Sequence, residues 1–173
     1  MFEEEKTIFC MDANILIQAW QKYYSPSICP TYWEVLNQLG KKGIIFVPEV
    51  VFEEIEKGED DLFEWLKNSD IPIRKIDASV ANCLKEIYAN NPDHKYLVAS
   101  NGIHSKADPW VIAHAMNENA IVVTKEQKDF FKKPTKIKIP HVCDNMKVEW
   151  IDDFEFIKKA NISFVCHSEH ASG

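Results

Sequence analysis

The chain has 173 residues, 46% of them hydrophobic and 27% charged, enough apolar material for one domain with its own core and too much for a disordered chain. A formal net charge of −7 argues against a protein that grips a polynucleotide by bulk positive charge. Apolar runs such as IIFV and AIVV are far too short to span a bilayer, and the N-terminus, MFEEEKT, lacks the basic-then-apolar profile of a signal peptide. A cytoplasmic location with no membrane partner is therefore expected.

In chain order, TIFCM (7–11) fits a short buried strand. A helix is expected over 14–24, stopping before Ser25 and Pro26. A second helix is expected from Thr31, with Thr31 as N-cap and Glu34 three residues on in a capping-box pattern, ending near Gly40 or Gly43. IIFV (44–47) reads as the second strand. Pro48 suits the first turn of a third helix in which Val50, Val51 and Ile55 share a face, with Gly58 as its stop. Residues 60–67 form a further helix, IPIRKI (71–76) a short strand, 79–89 a helix and 90–93 a turn. Asp108 opens a helix reaching Asn117, with Pro109 in its first turn. AIVVT (120–124) is β-branched, continuous and bounded by polar residues, a strand signature. KIKIP (136–140) reads as a later, shorter strand and DDFEFIKKA (152–160) as a closing helix, with a frayed polar tail at 167–173. Strands alternating with helices imply a mainly parallel sheet covered on both faces. The expectation is one three-layer α/β/α domain, Rossmann-like, over 1–173, with its core at about 7–160.

Four acids stand where strands give way to helices or loops. Asp12 follows TIFCM, Glu54 lies in PEVVFEEI after IIFV, Asp108 opens ADPWVIAHAM, and Glu126 closes AIVVTKE. Such folds keep their sites at the carboxyl edge of the sheet. Carboxylates converging there repel one another and persist mainly when a hard divalent cation neutralises them. Glu53 is an alternative to Glu54 but points away if Val50, Val51 and Ile55 mark the buried face. Each acid also has a plainer reading: Asp12 and Asp108 as helix N-caps, Glu54 and Glu126 as solvated surface residues.

Taken in order, MDANILIQA, VFEEI, ADPWVIAHA and VVTKE resemble the motifs of PIN-domain ribonucleases, a group that includes the toxins of many toxin–antitoxin pairs. YYSPSICPTYW and KIPHVC further resemble a less characterised PIN-like branch. The resemblance implies Asp12, Glu54, Asp108 and Glu126 as catalytic, metal-binding acids, with Asn14 and Thr124 orienting them from behind. The family more often has Asp at the fourth position; Glu126 reaches about one carbon farther, which implies looser or water-mediated binding. The cofactor implied is Mg²⁺ or Mn²⁺, one or two ions, because hard cations take oxygen ligands. Asp12 is expected to be the central ligand and Asp108 its nearest partner. The implied partners are an RNA substrate and an antitoxin protein, with a homodimer as a further expectation.

The leading reading is thus a metal-dependent endoribonuclease, and the alternative a catalytically faded PIN-like module that binds RNA or protein. A Rossmann-like phosphatase would usually carry a second acid two residues after its nucleophilic Asp, where this chain has Asn14. No GxSxG, GxGxxG or Walker loop is present, and His94, His104, His114 and His141 have no nucleophile in a recognisable order. Cys10, Cys29, Cys83, Cys143 and Cys166 are widely spaced and odd in number, which reads as free thiols, with Cys10 and Cys83 in apolar stretches. CHSEH (166–170) offers zinc-type ligands without a second pair. KKPTKIK (132–138) reads either as a basic strip for a phosphate backbone or as a solvated face. Trp20, Tyr23, Tyr24, Tyr32 and Trp33 could stack bases, or build core or a protein interface.

Overall fold

The computed structural model describes residues 6–98, 106–130 and 133–171. Five strands, β1 (Phe9–Met11), β2 (Ile45–Pro48), β3 (Ile73–Arg74), β4 (Ile121–Val123) and β5 (Trp150–Ile151), form one sheet in the order β3-β2-β1-β4-β5. Every pairing is parallel: Cys10 sits opposite Phe46 on one side and Val122 on the other, Val47 opposite Ile73, and Val123 opposite Ile151. β1, β2 and β4 are buried along their whole length, as strands covered on both faces must be.

The helices are α1 (Ala13–Gln18), α2 (Pro30–Lys41), α3 (Glu49–Gly58), α4 (Asp60–Lys67), α5 (Ala78–Asn90), α6 (Asp108–Glu118), α7 (Ile139–Met146) and α8 (Asp153–Lys159). α1 and α4 pack on α3, whereas α5, α6 and α7 pack on one another. Right-handed crossovers explain the two groups. The path β1→β2→β3 runs one way across the sheet, and the path to β4 and β5 runs the other way, so its helices fall on the opposite face. This is the expected three-layer α/β/α arrangement. Phe9 and Phe156 meet edge to face beneath it, with ring centroids 5.1 Å apart.

Several local expectations are corrected. Residues 136–140 are not a strand: a 3₁₀ turn spans Pro134–Lys136, α7 begins at Ile139, and the fifth strand is β5. Alternation of Lys and Ile mimics a strand, but Pro140 in the first helical turn and the buried Ile139, Val142 and Cys143 fit a helix instead. α2 starts at Pro30, not Thr31, because Pro suits a first helical position, where no N–H partner is needed; Cys29 is its N-cap, and no side chain caps it. α2 ends at Lys41, between Gly40 and Gly43 as expected; at Gly40 a Cβ would stand 2.6 Å from the Ile71 Cα, so that glycine serves close packing. Gly43, at φ +64°, makes the turn into β2. The first helix is α-helical only to Gln18 and continues as a π-helical turn over Ala19–Tyr23. The segment 90–93 is split between α5 and a 3₁₀ turn at Pro92–Leu97.

Candidate functional site

The strand order has a switch point. Connections leave β1 and β4 in opposite directions, and a crevice outside the carboxyl ends of two such strands is where open α/β sheets bind ligands. Asp12 follows β1 and Thr124 follows β4 at this place. The Asp12 backbone N–H still donates to the Val123 carbonyl at 3.0 Å, extending the ladder by one rung. The Asp12 side chain then caps α1, its Oδ1 accepting from the Ala13 N–H at 2.7 Å. Its Oδ2 accepts from the Thr124 hydroxyl at 2.8 Å. A second tie runs parallel to this one, from the Lys125 N–H to Asn14 Oδ1 at 2.9 Å. Asn14 and Thr124 thus fix the two loops to each other.

Glu126 is placed by two contacts. Its backbone N–H donates to Thr124 Oγ1 at 3.1 Å, and its Oε2 accepts from the Ile139 N–H at 2.8 Å, at the first residue of α7. A carboxylate at a helix N-terminus satisfies an otherwise orphan donor and meets the positive end of the dipole. Glu54 is half-buried on α3, whose buried face carries Val51 and Ile55, while Glu53 is exposed. Asp108, 4% exposed, lies in the first turn of α6. Because α6 leads into β4 and packs on the sheet, its N-terminus lies toward the carboxyl edge.

Asp12 is 3% exposed, and its pKa is pushed from 3.8 up to about 7. Burial is the main cause; repulsion from Glu126 and then from Glu54 adds to it, while the Thr124 hydroxyl and the Ala13 N–H oppose it. The structure therefore couples Asp12, Glu126 and Glu54 into one electrostatic group.

The donor set is all oxygen and negatively charged, which fits Mg²⁺ or Mn²⁺ and not a thiolate-loving metal. Among the described residues no three acidic, His or Cys side chains stand close enough to hold one ion together. A cation here would bind through one or two carboxylates and retained waters, the usual manner of Mg²⁺.

The remaining motifs take structural places. His94 donates from Nδ1 to the Ile87 carbonyl at 2.6 Å and accepts at Nε2 from Asn145 at 2.9 Å, a satisfied core histidine. His141 bridges the Lys138 N–H and the Asp129 carbonyl. His114 is buried, and desolvation lowers its pKa. His104 lies outside the described residues, as does Lys132 of the basic stretch. Of that stretch, Lys138 is paired with Asp129, while Lys133 and Lys136 are exposed. All five cysteines are free; Cys10 is fully buried, as expected, but Cys83 only partly. Tyr32 and Trp33 are core, whereas Tyr23 is 51% exposed. A cavity of ≈ 700 Å³ opens at the opposite sheet edge, around Ile8, Ile121 and Val148, and holds none of the four acids.

Sequence reasoning missed Lys125 and Asp153. The Lys125 ammonium pairs with the buried Asp153 at 2.7 Å and lies over the rings of Tyr23 (4.4 Å) and Phe154 (5.2 Å). The available signal was the position of Lys125 between Thr124 and Glu126; its partner 28 residues on was not legible.

The sequence profile of a family described as "Domain of unknown function (DUF4411)" matches residues 9–164. No curated protein matches the chain. Two solved structures are similar in fold. One is VapBC2 from Rickettsia felis bound to a DNA fragment from their promoter, at 18% identity, covering 84% of this chain and 98% of that one, with a TM-score of 0.54. The other is FitAcB from Neisseria gonorrhoeae, at 16% identity, covering 83% and 96%, with a TM-score of 0.51. The fold is PIN-like, as the four motifs imply. No helix among the described residues is long and apolar enough to cross a membrane.

Proposed function

We propose, for a chain that belongs to the DUF4411 family and has a PIN-like fold, that it is a Mg²⁺- or Mn²⁺-dependent endoribonuclease, the toxin of a toxin–antitoxin pair. One observation carries this reading. A carboxylate buried at the switch point, Asp12, has its pKa raised by burial and by repulsion from two further carboxylates, Glu126 and Glu54. Folding makes ionisation of Asp12 costly, and a bound divalent ion would favour its charged form.

Asp12, Glu54, Asp108 and Glu126 would hold the ion or ions, directly or through water. When bound, such an ion supplies a water of lowered pKa and neutralises charge building on the phosphoryl oxygens. The protein's part is positional. Each Asp12 oxygen already accepts one hydrogen bond and keeps a further lone pair for a ligand. Thr124 and Asn14 hold the Asp12 and Glu126 loops in register, the orienting role that outer contacts play around metal ligands. An antitoxin partner, a homodimer and a cytoplasmic setting belong to the same proposal, supported by likeness in fold to VapBC2 and FitAcB.

A binding module with faded activity is the second reading. What favours it is Glu126, whose Oε2 is engaged by the α7 N-terminus, together with the lack of a three-acid group among the described residues. Cleavage of single-stranded RNA in Mn²⁺ by the purified chain decides between them. Asp12→Asn and Asp108→Asn are expected to abolish cleavage while leaving the circular-dichroism spectrum intact. Near-normal cleavage by either variant removes the site assignment, and no cleavage by the wild type leaves the binding module.

A further inference from the structure

We infer that Tyr23 and Phe154, with Lys125 held between them, form a stacking platform for a nucleobase of single-stranded RNA beside the loop that carries Thr124 and Glu126. The inference rests on the ribonuclease reading and identifies how that site grips its substrate. Tyr23 and Phe154 leave 51% and 56% of their surface in solvent, although aromatic rings carry a large incentive to be buried. They come from distant segments, the end of the π-helical turn and the first turn of α8, and one cation brings them together. Lys125 Nζ lies 4.4 Å from one ring centroid and 5.2 Å from the other.

Lys125 is itself pinned at both ends. Its ammonium is 2.7 Å from the buried Asp153, and its backbone N–H is bonded to Asn14. The rings are thus fixed relative to the backbone that carries Thr124 and Glu126, within one lysine side chain of it. A surface ordered in advance loses less freedom on binding. Tyr24 and Phe164 extend the aromatic strip: they stack at 5.4 Å with planes 10° apart, and Phe164 is 41% exposed.

Charge selects the occupant. At a net charge of −7 the chain lacks bulk attraction for phosphate, and the Lys125 ammonium is already paired with Asp153. Stacking on a ring is an attraction to polynucleotides that needs no net positive charge and tolerates any base. A protein side chain could also cover the rings, but nothing in that alternative accounts for their tether to the loop of Thr124 and Glu126.

The test measures binding in an Asp12→Asn background, which removes cleavage from the readout. The probes are an RNA decamer with a central 2-aminopurine and the same decamer abasic at that position. The intact platform should bind the base-bearing decamer about tenfold more tightly than the abasic one, with quenching of the 2-aminopurine. Tyr23→Ala combined with Phe154→Ala should abolish the preference, and Tyr23→Phe, which keeps the ring, should keep it; a merely structural role of the rings would not distinguish the base-bearing decamer from the abasic one. No binding, no base preference, or a preference that survives the double alanine variant overturns the platform; the last two assign the rings to a protein partner. If the preference holds while the chain with Asp12 intact fails to cleave RNA in Mn²⁺, the ribonuclease reading falls and the platform stands.

Discussion

Thr124 donates its hydroxyl hydrogen to Asp12 Oδ2 at 2.8 Å, joining residues 112 apart in sequence at the carboxyl ends of two adjacent strands. The same hydroxyl oxygen accepts the Glu126 N–H. One buried side chain therefore sets two of the four acids at once.

Thr124→Val keeps the shape and removes this junction. Asp12 loses a donor that lowers its pKa, and the Glu126 N–H loses its acceptor. A loss of about 1–3 kcal/mol of stability is expected, together with a Mn²⁺ affinity reduced about 10–100-fold, the usual effect of losing an outer-shell contact. Urea denaturation and metal-dependent thermal shifts measure the two. Thr124→Ser should stay near wild type in both, and a Ser variant as damaged as the Val variant would show that packing, not the hydroxyl, matters.

Asp12 should make apo stability depend on pH. Its pKa is about 7 folded and 3.8 ordinarily, so between those values the folded state holds a proton the unfolded state has released. Stability through this group is then greatest below about pH 4, falls on rising to about pH 7, and levels off above it, a span on the order of 4 kcal/mol. In chelator, Asp12→Asn should flatten this fall and raise the melting temperature at pH 7. Mn²⁺ at about a hundred times Kd should add about 2.7 kcal/mol to the wild type, several degrees, and less to the variant. Equal pH profiles for the two proteins would mean that Asp12 is not the buried, repelled carboxylate described here.

Glu126 should separate stability from activity. Glu126→Gln keeps an oxygen for the Ile139 N–H but loses a negative charge. Glu126→Asp keeps the charge but is one carbon too short for the same cap, at a cost of about 1 kcal/mol. The Gln variant should melt higher and the Asp variant should cleave RNA faster, because water can bridge a shortened carboxylate to a cation. Parallel ranking of the two variants in both assays would rule out this division of roles.

The Lys125–Asp153 pair should reveal itself through unequal single and double substitutions. Asp153 is 3% exposed, so Lys125→Met leaves a buried charge without its partner, at about 3 kcal/mol or more. Adding Asp153→Asn should recover most of that loss in chemical denaturation. Additive losses would indicate that the two side chains do not depend on each other.

The sequence by itself determined the alternation of strands and helices, the parallel sheet and the positions of Asp12 and Asp108 at element boundaries, whereas Glu54, expected at a strand end, lies in the middle of α3. Those features are local: a β-branched run such as AIVVT, a proline in a first turn such as Pro109, a glycine such as Gly43 at positive φ. It misjudged 136–140, where alternating Lys and Ile satisfy a strand pattern and burial of Ile139, Val142 and Cys143 on one face selects a helix. That error hid the cap from Glu126 to Ile139, since the donor is an N–H that exists only at a helix start. Tertiary structure alone decided which acids act on Asp12, because repulsion depends on distance and burial across segments more than 40 residues apart. It also divided the aromatic stretch, sending Tyr32 and Trp33 into the core and leaving Tyr23 in solvent. Composition cannot make that division: Tyr23 and Tyr24 are identical and adjacent, yet Tyr24 packs on Tyr32 and Phe164 while Tyr23 lies under Lys125.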